Sequence, residues 1–340
     1  MIGKSRAPTI SQVAIIAGVN RSSVSRAFNR PELLSAATVA TIKAAAESLG
    51  YVPNRNARAL STGRYSNIGL IVPDVANPFF PPLIRAAQGE ADRFDFCIFL
   101  GNTDEDASQE DKLLTRFAGQ VAGVVLASPR LSDERIREHA ARKPLVLVNR
   151  DVAGIPRVLI DSGPGIAEAV AHLAELGHRR IAYVSGPGIS WSNRQRRIAV
   201  RKAATLLGLE MMTVRALVPN FEAGRRTVPD IIATRATGVV AFDDLTAQGI
   251  LAGLDERGIR VPADIAVVGC DDVLGAATHP PLTTVSNRSR EAGKVAVALL
   301  LDVLNTRATQ DVRYVLDTHL VIRRTTAPAP QANPPTARRQ

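Results

Sequence analysis

Two hydrophobic rhythms run along the chain. Up to about residue 50 the apolar positions recur at helical spacing. Val13, Ala14 and Ala17 share one face of a first short segment, Val24 and Phe28 lie at i, i+4 on a second, and a third runs through Ala44, Ala45 and Leu49. From Asn67 the pattern changes to short aliphatic runs, NIGLIVP, FCIFLG, GVVLAS, PLVLVN and RVLI, and later RRIAYVSG, TGVVAF and DIAVVG. Helical stretches such as PLIRAAQGEADRF and QEDKLLTRFAG separate them. Aliphatic strands alternating with helices predict a parallel, doubly wound sheet, and two such series predict two Rossmann-like lobes in tandem. Residues 326–340, TAPAPQANPPTARRQ, are Pro-rich without a period and predict a disordered tail.

Capping residues punctuate the helical part. Thr9 with Gln12 forms a capping box, Gly18 supplies a left-handed stop, and Asn20 caps the second helix. Ser35 opens the third helix and Gly50 ends it, after which Pro53 forces Val52 away from helix. Two short helices joined by a tight glycine turn, with Arg21, Ser22, Ser23, Ser25 and Arg26 on the outer faces of the second, predict a helix-turn-helix entering the DNA major groove. The alternative is a pair of small helices with a solvated polar face. The stretch NRNARALST (54–62) is a short helix candidate, too brief to hold alone in water.

Charge favours the DNA reading. The 340 residues carry a net +10, but residues 1–64 hold nine Lys/Arg against two acidic residues, while the rest holds 33 against 30. A basic head on a near-neutral body is the electrostatic footprint of nucleic-acid binding. Length predicts about two domains. Cys97 and Cys270 have no metal or redox spacing and read as two buried, reduced thiols of a cytoplasmic protein. No apolar run approaches ~18 residues and no secretory leader is seen, so no membrane partner is expected. Walker, G-x-G-x-x-G, G-x-S-x-G and H-E-x-x-H patterns are absent, and the histidines at 139, 172, 178, 279 and 319 have no ligand spacing. No metal, cofactor or catalytic residue is assigned. The enzymatic rival is a glycoside-cleaving pair, Asp243 with Asp271. The other rival is a sugar-binding solute receptor without a DNA role, which the basic head opposes.

The run TISQVAIIAGVNRSSVSRAFN, followed by LLSAATVATIKAAAESLGYVPNRNARALSTGR, resembles the lac repressor / gal repressor (LacI/GalR) family of bacterial transcription regulators. Departures are Asn20 for Ser, Ser23 for Thr and Val39 for a basic residue; Asn still caps, and Ser still hydrogen-bonds a phosphate. The resemblance implies an all-α helix-turn-helix head (1–53), a hinge helix (54–65), and an α/β two-lobed periplasmic-binding-protein-like (type I) effector domain with parallel doubly wound sheets (66–325). Three crossings would divide that domain into a first lobe, about 66–163 and 290–318, and a second, about 164–289 and 319–325. It further implies a homodimer on palindromic double-stranded operator DNA. Arg21, Ser22 and Arg26 would face base edges, and Thr9, Asn20, Ser23 and Asn29 phosphates. In the hinge, Arg55 and Arg58 would lie beside phosphates, Ala57 would permit close approach, and Leu60 would wedge into the minor groove.

Ligands of doubly wound sheets sit outside the carboxyl ends of the strands. That rule and the resemblance together select Asn77, Phe79 and Phe80 in an N-P-F-F loop, then Ser128, Arg150 and Asp161. From the second series they select Trp191, Ser192 and Arg196, then Phe221, Asp243 and Asp271. Asp243 stands where the family usually has Asn, Ala199 where Gly is frequent, and the segment after Phe221 is short. Aromatics, carboxylates and arginines suit a small-molecule effector that is a sugar or a sugar acid.

Overall fold

The computed structural model describes residues 8–52, 65–306 and 310–330. The chain divides into two compact units, Met1–Tyr65 and Ser66–Gln340.

The first unit holds α1 (Ile10–Ile16), α2 (Arg21–Asn29) and α3 (Ala36–Ser48), with a 3-10 turn at Pro31–Leu33. The caps form as their chemistry dictates. Thr9 N–H donates to Gln12 Oε1 at 2.8 Å and Gln12 N–H to Thr9 Oγ1 at 3.4 Å. Asn20 Oδ1 accepts from Ser23 N–H at 2.7 Å, and Ser35 Oγ from Thr38 N–H at 3.1 Å. Gly18 takes φ +64°, which a Cβ would strain. Val13, Ala14, Val24, Ala27, Ile42, Ala45 and Ala46 make the core. Two positions differ from the pattern reading. Ala44 is exposed, because the inner face of α3 runs Ile42, Ala45, Ala46, Leu49 (i, i+3, i+4, i+7). Phe28 is half-buried against Tyr51, ring centroids 6.1 Å apart, and Ala27 fills the centre instead.

The second unit contains two six-stranded sheets. The strands are β1 (Asn67–Val72), β2 (Cys97–Asn102), β3 (Val124–Ala127), β4 (Leu145–Val148), β5 (Arg157–Asp161), β6 (Arg180–Ser185), β7 (Glu210–Arg215), β8 (Gly238–Ala241), β9 (Ala266–Cys270), β10 (Thr283–Val285), β11 (Arg313–Asp317) and β12 (Leu320–Val321). The first sheet has the order β11-β5-β4-β3-β1-β2 and is wholly parallel. The second has the order β12-β10-β9-β8-β6-β7, with only β12 antiparallel to its neighbour. Around them lie α4 (Phe80–Asp92), α5 (Ala107–Phe117), α6 (Asp133–Arg142), α7 (Gly163–Glu175), α8 (Trp191–Leu206), α9 (Phe221–Arg226), α10 (Val228–Ala233), α11 (Asp244–Asp255) and α12 (Ser289–Thr306). Helices on both faces account for the aliphatic central strands; Val146, Val148 and Val158 have no exposed surface. Cys270, on central β9, is buried as expected, but Cys97 opens the edge strand β2 and is exposed.

The chain passes between lobes after β5, after β10 and after β11. The crossings are tied to one another. The Thr318 hydroxyl donates to Asp161 O at 2.9 Å, Ser286 N–H to His319 O at 2.8 Å, and His319 N–H to Ser286 Oγ at 3.0 Å. Helix α12 returns to the first lobe and packs so close to α4 that a Cβ on Gly293 would lie 2.3 Å from Leu83 O.

The described part of the Pro-rich segment, residues 326–330, is held in place and not disordered as its composition predicts. Ala329 N–H donates to Leu176 O at 2.8 Å, and His172 and His178 bond Thr326 Oγ1 (2.9 Å) and Ala327 O (3.1 Å). A segment without hydrophobic period is held here by polar groups at the end of α7. Among the described residues no helix is long and apolar enough to cross a membrane.

Candidate functional site

On α2, residues 21, 22, 25, 26 and 29 share one arc of the helix, opposite the inward Val24 and Ala27. Arg21, Ser22 and Arg26 are exposed, Ser23 and Asn29 half-buried. Asn29 Nδ2 donates to Ser25 Oγ at 3.2 Å, which fixes the two amide and hydroxyl tips side by side. Thr9 and Asn20 are exposed at the N-termini of α1 and α2, where backbone N–H groups suit an anion. Arg55, Ala57, Arg58 and Leu60 lie outside the described residues.

In the second unit a cleft opens at the carboxyl ends of both sheets. From the first lobe come Asn77, Phe79, Phe80 and Ser128; from the second come Ser192, Arg196, Asp243 and Asp271. Phe79 and Phe80 meet edge to face at 5.0 Å. The two lobes touch here: Asn77 Nδ2 donates to Asp243 Oδ2 at 3.2 Å, while Asn77 Oδ1 holds Phe79 N–H at 3.0 Å. The cleft is narrow, about 40 Å³, and partly open to solvent. A larger groove of about 720 Å³ lies between α11 and residues 274–280, but none of the predicted ligand residues lines it.

Arg196 is the electrostatic centre of the cleft. Its Nη2 donates to Asp271 Oδ1 at 2.7 Å, its Nε to Ser162 Oγ at 3.3 Å and its Nη1 to Phe242 O, and the guanidinium lies 4.9 Å over the Phe242 ring. Burial pushes the Asp271 carboxyl up to about 7; Arg196 pulls it down, and Asp243 and Asp244 add repulsion. Asp243 also caps α11, accepting from Thr246 N–H at 2.8 Å. Its neighbour Asp244 faces away from the cleft as a brace, bonded to the Thr284 hydroxyl and to Val273 N–H at 3.1 Å. This arrangement offers donors and acceptors to a polyhydroxylated molecule beside two aromatic rings.

Four predicted residues lie elsewhere. Arg150 turns to α6, where its Nε donates to Asp133 Oδ1 at 3.0 Å and its Nη2 to Leu131 O at 3.0 Å. Trp191 is buried where α8 starts. Phe221 is exposed at the head of α9, and Pro219 lines the cleft in its stead. Asp161 stays at the first crossing, accepting from Gly163 N–H at 2.9 Å.

The cleft also takes in Glu105, Arg130, Asn149, Ser190 and Phe242, which are not among the predicted ligand residues. Arg130 donates to Glu105 through Nε (2.5 Å) and Nη2 (2.9 Å), and to Ser128 O through Nη1 (2.7 Å). Asn149, at φ +54°, turns inward and accepts from Ile160 N–H at 3.0 Å. Glu105, Ser128, Asn149 and Asp271 are four of the eight non-glycine residues with positive φ among those described, so the strained backbone gathers at this cleft. The strand-end rule, applied to the loop after β2, would have flagged Glu105.

Comparison with known proteins follows the same division. Residues 9–54 match the lacI family of bacterial regulatory proteins, and residues 170–326 a periplasmic binding protein-like domain. The chain is 33% identical to the transcriptional regulator CelR of Thermobifida fusca, over 94% of this chain and 98% of that protein. It is 30% identical to the transcriptional repressor CytR of Escherichia coli, over 95% and 98%. The structure of the lac repressor dimer bound to operator and the anti-inducer ONPF is similar at TM-score 0.84 and 27% identity, covering 95% of this chain and 100% of that one. A CelR–cellobiose complex is similar at TM-score 0.70 and 30% identity, covering 94% and 99%.

Proposed function

The chain belongs to the lacI family of bacterial regulatory proteins, and from that premise we propose that it is a repressor that binds a near-palindromic operator as a homodimer and answers to a sugar-like effector in the interlobe cleft. It is a DNA-binding transcriptional regulator. The observation that carries the effector reading is the meeting of Arg196, Asp271 and Asp243 with Asn77 and the Phe79–Phe80 pair across the two lobes. A similar protein, CelR, has been solved with cellobiose, and the lac repressor as a dimer on operator.

Each subunit sets Arg21, Ser22 and Arg26 against base edges, where arginine takes guanine bidentately. Thr9, Asn20, Ser23 and Asn29 hold phosphates and fix register. Two-fold symmetry makes the operator near-palindromic. Arg55, Ala57, Arg58 and Leu60 extend the contact into the minor groove between the half-sites.

Within the cleft, Arg196 and Asp271 engage ligand hydroxyls, and Asp243 and Asn77 exchange their mutual hydrogen bond for bonds to the ligand. The ligand thereby biases the angle between the lobes, and a coupling of about 1–3 kcal/mol to DNA affinity suffices for control. The test is a thermal-shift screen of sugars, followed by operator binding with each hit. Release of DNA marks an inducer and tightening a corepressor. A stabilising ligand that leaves operator affinity unchanged refutes the regulatory link.

A further inference from the structure

Two guanidinium groups face the cleft, and neither is a free cation. Arg196 is matched by Asp271 at 2.7 Å. Arg130, only 4% exposed, is gripped side-on by both carboxylate oxygens of Glu105 and gives a further hydrogen to Ser128 O. The pair stands on a rigid base. The backbone N–H groups of Arg130 and Leu131 donate to the buried Glu110 carboxylate at 2.9 and 3.2 Å, and Asp106 caps α5 directly after Glu105. Asp243, 2% exposed, adds a third carboxylate to the same space and has no cationic partner among the described residues. With every carboxylate ionised the lining carries −1, from two arginines against Glu105, Asp243 and Asp271, and with Asp271 protonated it is neutral; in neither state is it positive.

Such a lining discriminates by charge. An entering carboxylate or phosphate would lose its water with no uncompensated cation to replace it. A neutral polyol meets no such barrier. A guanidinium has five N–H hydrogens and each arginine here spends three, so donors remain for hydroxyl oxygens while the carboxylates accept hydroxyl protons. A buried arginine without a matching carboxylate would do the opposite and bind phosphate or carboxylate bidentately.

We propose that Glu105 is the charge filter of this cleft: by neutralising Arg130 it restricts the site to uncharged polyhydroxylated ligands and bars those bearing a carboxylate or phosphate. This rests on the reading of the cleft as the effector site, and it decides between the neutral sugar and the sugar acid that the residue types alone allow.

The test needs no knowledge of the natural ligand. Full-length wild type, Arg130→Gln, Glu105→Gln, and Glu105→Gln with Arg130→Gln are titrated calorimetrically with inorganic phosphate and with glucuronate, at constant ionic strength. Wild type should show no saturable binding that depends on Arg130. Glu105→Gln should bind phosphate at least roughly tenfold more tightly than wild type, and the added Arg130→Gln should abolish the gain. Should Glu105→Gln fail to fold, Glu105→Ser frees the same guanidinium. The proposal is overturned if wild type binds either anion in a manner that Arg130→Gln removes. It is equally overturned if a folded Glu105 variant is as blind to phosphate as wild type. Operator release by neutral sugars is measured separately: if none releases or tightens DNA while the Glu105 variant gains phosphate, the effector reading fails and the filter stands.

Discussion

Replacing Asp244 by Asn should stabilise the ligand-binding unit at neutral pH and leave it unchanged in acid. Asp244 is 1% exposed, and its oxygens accept the Thr284 hydroxyl, Val273 N–H at 3.1 Å and Leu274 N–H at 3.4 Å. Burial raises its carboxyl from 3.8 to about 6; the Thr284 and Leu274 donors pull the other way, and Asp243 and Asp272 add repulsion. An acid whose folded value lies above its unfolded one holds more protons folded than unfolded in between. Stability therefore falls as pH rises from about 4 to about 6, then levels. A gap of about two units is worth roughly 3 kcal/mol. Asparagine has nearly the same shape, keeps a carbonyl for the two N–H groups, can turn its amide to Thr284, and carries no charge to desolvate. The variant should match wild type near pH 4 and exceed it by roughly 2–3 kcal/mol near pH 7.5. Urea unfolding followed by circular dichroism at four pH values between those limits measures the difference, in which groups not coupled to Asp244 cancel and the relief of Asp271 adds to the same sign. A difference that is flat with pH, or shrinks as pH rises, refutes the reasoning.

Three further outcomes are expected. Arg26→Ala should cost about 1–3 kcal/mol of operator affinity and relax one base position; a binding series over single-base operator variants checks it, and an unchanged preference contradicts the assignment. Arg196→Ala leaves Asp271 buried without its cation and should cost about 3–5 kcal/mol of stability. It should also abolish the effector response, measured by operator release under conditions where the variant remains folded, and a normal response removes Arg196 from the site. Gly249→Ala places a Cβ 1.9 Å from Phe221 O between α9 and α11; the melting temperature should fall by the equivalent of about 2–3 kcal/mol, and an unchanged melt would mean the helices part without cost.

Local chemistry was readable from the chain because its partners are three or four residues away. Thr9 with Gln12 and Asn20 with Ser23 are of this kind. Most central strands were readable because burial on both faces leaves unbroken aliphatic runs; β10, only TTV, was too short and threonine-rich to show one. The edge strands β7 and β11 were not: EMMTVR and RYVLD are partly exposed and mix polar with apolar residues. In the cleft, residue types were legible but directions were not. Whether Asn149 or Arg150 turns inward depends on a positive φ and on Asp133, 17 positions away. Arg130 escaped notice for the same reason, since its partner Glu105 is 25 positions distant.

The narrowness of the cleft, roughly 40 Å³, has a kinetic consequence for the proposed effector. That is far below the roughly 300–1,000 Å³ of a small-molecule pocket, so a sugar bound at the proposed site would require the lobes to part and the Asn77–Asp243 bond to break. Opening then precedes capture. The observed association rate should climb with ligand concentration and level off at the opening rate, and the apparent affinity is scaled by the fraction of open molecules. The tempo of the genetic response would then be set by how often three tied crossing segments let two lobes swing apart.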